Sequence, residues 1–356
     1  MRHAQVDTTV PVSQIGLGTW QFGSREWGYG STYDSGEAAA IVKRALELGV
    51  TLFDTAEIYG GGRSERILGR ALRDADADPS TIFLATKIFP ALPISPVVEQ
   101  RALASASRLG ARHIDLYQVH QANPIVHDQT TMRGMQTLLE VGIVGHVGVS
   151  NYSLARWQRA DAALAAAHRE ALAARDGRDD DADIADWEPD EPAPVVLSNQ
   201  VHYNLVHREP EAGHVPFAER ERRLLIAYSP LAQGFLSARH TVSSRVTGVR
   251  SANSLFLREN IEAARPLFAT LRDVADAHGA TPAQIALAWV IRSPQVAAIP
   301  GASSVEQLES NVAAAELRLA DDEIAALSAA SDAFRPISGW HAAPKLARSI
   351  YGSFRN

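Results

Sequence analysis

The chain has 356 residues, 46% of them hydrophobic and 21% charged, with 41 acids set against 34 lysines and arginines. That composition suits a globular protein with a sizeable core, and a formal charge of −7 excludes the basic footprint that nucleic-acid binding requires. The absence of cysteine excludes disulfides, thiolate catalysis and Cys-ligated metals. Met1 to Val12 is too polar for a secretory leader and no apolar run reaches membrane-spanning length, so a cytoplasmic location is the expectation.

In chain order, Ile15–Trp20 reads as a short strand opening into a loop. Gly36–Gly49 follows with helical apolar spacing at Ala39, Ile41, Val42, Ala45, Leu46 and Leu48. Thr51–Phe53 has the β-branched and aromatic character of a buried strand, and Gly60, Gly61 and Gly62 end it soon afterwards. Ser64 is expected to cap a helix running through Leu72. Strands over Thr81–Lys87, Ile114–His120 and Val144–Ser150 then alternate with helices over Ser95–Leu109 and Gln129–Glu140.

An alanine-rich helix from Leu154 runs into the segment 175–194, whose acids carry most of the negative balance and whose prolines destroy any apolar period. It reads as a solvated insertion, either a disordered spacer or a dock for a basic partner. Val195–Val201 and Leu224–Tyr228 are strands six and seven. Helices are expected over Asn260–His278 and Pro282–Ile291, the second capped by Thr281, then an eighth strand over Val296–Pro300 and a last helix over Val305–Ser331.

Eight strands alternating with helices, and no linker dividing the chain, predict one α/β domain over 1–356, a single (β/α)8 TIM barrel with long active-face loops. An open doubly wound sheet is disfavoured, because Gly16-Leu17-Gly18 is followed by Gln21 where a dinucleotide fingerprint needs its third glycine. The tail over 334–356, with Trp340, Tyr351 and Phe354, either folds over the barrel mouth or is a flexible end.

Successive strands end in polar residues: Asp54 and Tyr59 after strand two, Lys87 on strand three and His120 on strand four. Neighbouring barrel strands lie about 4.8 Å apart, so such side chains can meet. A lysine ending an apolar strand needs a counter-charge, which Asp54 can supply. If the ammonium also lies beside Tyr59, it favours the phenolate, and the phenol pKa is expected to move from 10 toward neutrality, making Tyr59 a proton donor. His120, kept neutral, can orient and polarise a carbonyl. The set offers neither an adequate nucleophile nor a metal-ligand cluster, so something else must attack the carbon.

Asp54-Thr55-Ala56-Glu57-Ile58-Tyr59-Gly60, Ala85-Thr86-Lys87 and Gln118-Val119-His120 resemble, in order and spacing, the Asp/Tyr/Lys/His tetrad of the aldo-keto reductase superfamily. The likeness runs from Ile15 to about Leu327, interrupted chiefly by the acidic insertion. It implies Tyr59 as general acid, Lys87 and Asp54 as its tuners, His120 as the group that positions the carbonyl, and hydride from a nicotinamide. It further implies that Ser150, Asn151 and Gln200 bind the carboxamide and that Tyr228 stacks on the ring. Ser229, Pro230, Leu231, Gln233 and Gly234 follow as part of the cofactor seat.

By the same resemblance, Gly301 and Ser303 lead into a helix amino terminus that seats the adenosine phosphate, with Gln307 and Asn311 on one face toward the adenine. Ser303 stands where many relatives carry a base, and Arg250 matches a loop arginine that can replace it, so the expectation leans to NADPH over NADH. Trp20, Trp27, Tyr29 and Phe89 lie in active-face loops, lining an apolar substrate cleft or sealing the loops. Asn123 replaces an acid often found after the histidine. The implied activity is carbonyl reduction of small aldehydes or ketones, without nucleic acid, membrane or metal. A second implied reading, from the potassium-channel β-subunit branch, is a nucleotide-holding regulatory protein with slow chemistry.

Overall fold

In the computed structural model, residues 1–24, 28–30, 34–178, 189–239, 241 and 248–338 are described. The eight strands are β1 (Leu17–Gly18), β2 (Leu52–Asp54), β3 (Phe83–Ile88), β4 (Ile114–Val119), β5 (Val144–Ser150), β6 (Val196–His202), β7 (Leu224–Tyr228) and β8 (Val296–Ala298). They are hydrogen-bonded in sequence order and all parallel. Parallel bridges Ile15↔Ala298 and Gly18↔Gly301 bring β8 back to the first strand. Gly16 N donates to Ala298 O at 2.8 Å and Ala298 N to Gln14 O at 2.7 Å, so the sheet closes as the (β/α)8 expectation requires.

Strand alternation divides the core. Inward-facing Leu52, Phe83, Ala85, Leu116, Leu224 and Ile226 fill the barrel, and Ala4, Val10 and Val12 cover its amino-terminal end. These last residues belong to a hairpin with an antiparallel bridge His3↔Ser13, an element absent from the sequence expectations. With the lower end plugged by apolar side chains, polar inward positions such as Lys87 and Gln118 lie toward the carboxyl end.

The helices are α1 (Ser35–Glu47), α2 (Arg63–Asp74), α3 (Ser95–Leu109), α4 (Asp128–Glu140), α5 (Leu154–Arg175), α6 (His214–Glu221), α7 (Arg258–Ala263), α8 (Arg265–Ala277), α9 (Pro282–Val290), α10 (Val305–Ala313) and α11 (Asp321–Ala333). Thr281 caps α9 through a reciprocal box with Gln284. Three expectations need correction. The helix expected over 260–278 is two helices parted at Ala264, because Pro266 lacks an amide hydrogen and its ring opposes the carbonyl four residues earlier. The helix expected over 305–331 breaks after Ala313, and Glu323 restarts α11 by accepting from Ala320 N at 2.8 Å.

Ser64 is not a cap: left-handed Gly62 precedes α2, and Ser64 lies inside it, donating to Thr19 O at 2.7 Å. Its oxygen also lies 2.9 Å from Thr19 Oγ1 and 3.0 Å from Thr55 Oγ1, joining the first two loops at the barrel mouth. Arg175 ends α5, and half of the acidic insertion, 179–188, lies outside the described residues. In the tail, Phe334 stacks near Phe235 and Ile337 N donates to Asn260 Oδ1 at 2.7 Å; Trp340, Tyr351 and Phe354 lie outside the described residues.

Close approach of α2 to α3 holds the amino end of α2 beside the Tyr59 loop. A Cβ at Gly69 would come within 2.0 Å of Leu109 O. Gly69→Ala gains about 1 kcal/mol of helix propensity and loses more to forced separation of two backbones. It should destabilise the protein by about 2 kcal/mol in urea unfolding, and an unchanged midpoint would refute this packing.

Candidate active site

The parallel register raises the polar strand ends to comparable height: Gly18 pairs with Asp54, Asp54 with Ala85, and Lys87 with Gln118. Lys87 is wholly buried, and its Nζ donates to Asp54 Oδ1 at 2.6 Å and to Thr55 O at 2.7 Å. The same nitrogen lies 5.1 Å from the Tyr59 ring centroid. His120 meets that ring edge-on, with centroids 5.7 Å apart at 83°, and Trp20 lies 6.3 Å from it. The four residues singled out in the sequence therefore converge on one spot.

The Tyr59 loop is docked as an extension of β2 along β3: Thr55 N donates to Ala85 O at 2.9 Å and Glu57 N to Lys87 O at 3.3 Å. The Glu57 carboxylate accepts from Phe89 N and from Arg101 Nε, the latter at 2.9 Å. Behind it, Glu65 of α2 takes Thr86 Oγ1 at 2.8 Å and pairs with Arg108 of α3. This double ion pair, its carboxylates buried and its guanidinium groups partly exposed, was missed in the sequence and clamps the loop that carries Tyr59 to the helices around it.

The expected fall in the Tyr59 pKa is not found. Burial raises it above 10, Lys87 pulls it down and Asp54 pushes it up, with a net upward direction. The phenol is accordingly held protonated through the neutral range. For Lys87 burial works against the ammonium, but Asp54 and then Tyr59 outweigh it and its pKa rises. His120 is lowered to about 3 by burial first and Lys87 second, so the imidazole is neutral, and its buried Nδ1 has no partner among the described residues.

Asp54 Oδ2 accepts from Gln200 Nε2 at 2.8 Å and, more weakly, from Gln118 Nε2 at 3.4 Å. Gln118 was not singled out in the sequence, although its place two residues before His120 on β4 already puts it on the inward face. Around the strand ends, Ser150 Oγ donates to Gln200 O at 2.9 Å, Asn151 Nδ2 to His120 O at 3.2 Å, and Tyr228 OH to Asn151 Oδ1 at 3.0 Å. Asn151, Ser229, Ala232 and Gln233 all have left-handed backbones, with φ between 48° and 58°, followed by Gly234 at 91°. Backbone strain of about 1–3 kcal/mol per such residue is thus gathered at this rim.

Arg250 Nε donates to Gln233 O at 2.8 Å and Asn253 Nδ2 to Gln233 Oε1 at 3.1 Å, drawing the 250 loop over the loop containing Ser229, Pro230 and Leu231. At the start of α10, Ser303 N and Oγ each donate to Gln307 Oε1 at 3.0 Å, and Asn311 Nδ2 donates to Gly301 O at 3.3 Å. Asn311 is buried, bracing this loop. A Cβ at Gly301 would fall 1.9 Å from Gln21 Oε1, so the Gln21 side chain covers that glycine, another residue not foreseen.

A nicotinamide dinucleotide fits these residues on chemical grounds: carboxamide-complementary side chains at Ser150, Asn151 and Gln200, an aromatic face at Tyr228, and strained backbone over 229–234. Trp20 and Phe89 are exposed at the mouth, and Trp27 lies outside the described residues. Tyr29 follows the second of its two alternatives: it packs against the core and lines a groove between α1 and α2 together with Ser35, Ala39 and Ile67. Asn123 accepts from Ile125 N and Val126 N and donates to Pro90 O, each at 2.7 Å; an acid could not make the last bond.

Because the neutral imidazole is the buried form, His120 favours folding above pH 6.5, and that contribution drains away as the pH falls from 6.5 toward about 3. His120→Phe should lose less stability than the parent between about pH 7 and about pH 4.5 in urea titrations. Parallel pH dependences would exclude His120 as the source.

Residues 14–332 match the family model described as the aldo/keto reductase family. An uncharacterized oxidoreductase of Mycobacterium tuberculosis is 53% identical over 338 residues, 95% of each chain. Among solved structures, the chain superposes on a glycerol dehydrogenase of Gluconobacter oxydans at a TM-score of 0.75 and 25% identity, covering 95% of this chain and 97% of that one. An aldo/keto reductase of Klebsiella pneumoniae, solved with NADP and acetate, superposes at 0.68 and 26% identity, covering 92% of this chain and 94% of that one. With the match spanning nearly the whole barrel, the chain belongs to the aldo/keto reductase family and is an NAD(P)H-dependent oxidoreductase.

Proposed function

We propose that this oxidoreductase reduces the carbonyl of small aldehydes or ketones with NADPH, and runs the reverse oxidation of the alcohols. The observation that carries this reading is the Lys87 ammonium, wholly buried between Asp54 and the Tyr59 ring. A bound nicotinamide supplies the hydride that reaches the carbonyl carbon. Tyr59 delivers the proton to the carbonyl oxygen through its hydroxyl. Its raised pKa keeps that proton in place until charge develops on the substrate, and Lys87 stabilises the phenolate left behind.

Neutral His120 orients the carbonyl without adding a second positive charge beside Lys87. Asp54 holds Lys87 through Oδ1 and Gln200 through Oδ2, so the proton-donor side and the carboxamide side share one carboxylate. Exposed Trp20 and Phe89 offer apolar contact to a small carbonyl compound at the mouth. Ser150 and Asn151 with Gln200 hold the carboxamide, and Tyr228 supports the ring. Gly301, Ser303, Gln307 and Asn311 form the adenosine end, Asn311 chiefly by bracing the loop. The preference for the 2′-phosphate is assigned to Arg250, which is exposed on the loop drawn over Gln233.

Tyr59→Phe should lower kcat by about 10²–10⁴-fold while leaving NADPH affinity within about twofold, checked by steady-state kinetics and calorimetry. Undiminished turnover would remove Tyr59 from the reaction. Repeated turnover by the parent protein on an aldehyde panel separates this function from nucleotide holding with slow chemistry. Arg250→Ala should weaken NADPH by about tenfold and NADH by much less; equal losses would show that Arg250 does not read the 2′-phosphate.

A further inference from the structure

Tyr228 has a neighbour that no motif announces. His202 ends β6 directly opposite Tyr228 in the β6–β7 register, so both side chains leave the sheet on the same side. Their rings are nearly parallel and stacked, with centroids 5.3 Å apart and an angle of 7°. The outer face of the imidazole is covered in turn by His207, at 4.2 Å and 21°. Three rings therefore form a column that ends on Tyr228.

The column is braced from its own backbone. Asn204 and His207 face each other across a tight antiparallel turn, with His207 N donating to Asn204 O at 3.0 Å and Asn204 N to His207 O at 3.2 Å. That turn folds His207 back onto His202. The buried Asn204 amide nitrogen lies 3.1 Å from His202 Nε2 and donates at 2.9 Å to Ser229 O, the carbonyl just after Tyr228. An imidazole accepting at Nε2 carries its proton on Nδ1 and is neutral. Burial, followed by His207, agrees by lowering His202 to about 4, with Glu209 opposing. The opposite end of Tyr228 is tied by its hydroxyl to Asn151.

We propose that His202, backed by His207, is a positioning residue for the nicotinamide: it occupies one face of Tyr228, so the cofactor ring can stack only on the other, against a plane already fixed. The inference rests on the reading of Tyr228 as the ring that supports the nicotinamide. A tyrosine free on both faces would spend part of the stacking energy on being ordered when the cofactor arrives, and His202 removes that cost in advance. Neutrality matters as well, because a cationic imidazole in the column would oppose the positive charge of the oxidised cofactor.

The test uses His202→Ala and His202→Phe, each alone and combined with Tyr228→Ala, with thermal melting to confirm folding. Binding of NADPH and of adenosine 2′,5′-bisphosphate, which lacks the nicotinamide, is measured by calorimetry. His202→Ala should weaken NADPH by about three- to tenfold and leave the bisphosphate unchanged. His202→Phe should restore NADPH binding to within about twofold, because a ring is what the column requires. In the Tyr228→Ala background, His202→Ala should add nothing.

Equal losses in both backgrounds, or on both ligands, would show general damage and overturn the proposal. So would an unchanged NADPH affinity in His202→Ala while Tyr228→Ala weakens it. If Tyr228→Ala itself leaves NADPH binding intact, the stacking assignment fails, and the role of His202 falls with it.

Discussion

A primary ammonium with no exposure to water is the constraint on which the upper half of this barrel depends. Burying Lys87 and Asp54 costs several kcal/mol per ion, which their mutual attraction offsets only when the remaining hydrogen-bonding capacity is filled. That is how the site is built: Lys87 also gives a hydrogen bond to Thr55 O, and Asp54 receives amides from Gln200 and Gln118. Each of these groups comes from a different strand or loop. Barrel closure must therefore be accurate before the pair becomes tolerable, and the plugged amino-terminal end helps to keep it so.

The same pair explains why the surrounding side chains have the protonation states they do. A buried phenol resists ionisation and a buried imidazole resists protonation, so burial pushes Tyr59 up and His120 down. Lys87 acts on both, opposing burial at Tyr59 and reinforcing it at His120. The resulting ground state is a protonated phenol and a neutral imidazole around a fixed positive charge. It is suited to releasing a proton only when negative charge appears nearby.

Strain is concentrated at the rim. Asn151, Ser229, Ala232 and Gln233 adopt backbone conformations that L residues usually avoid. Three of the four are held by bonds from elsewhere: Asn151 by His120 O and Tyr228, Ser229 by Asn204, and Gln233 by Arg250 and Asn253. The polar end of the barrel is thus a set of loops kept in position by one another, whereas the strands beneath rely on apolar packing.

The sequence by itself determined the strands, their order and the polar residues ending them. Short apolar runs and glycine stops are local properties, and Lys87 or His120 at the end of an apolar strand is conspicuous without knowledge of its neighbours. It also determined the Thr281 cap, a bond between residues three apart. Only the tertiary structure decided that Ser64 ties loops together instead of capping, that Gln118 shares Asp54 with Gln200, and that Tyr59 moves up in pKa. These outcomes depend on which distant side chains meet and how much water is excluded between them. His202 is the clearest case: a strand-end histidine has no special chemistry until the turn over 204–207 lays His207 on its ring and the next strand lays Tyr228 beside it.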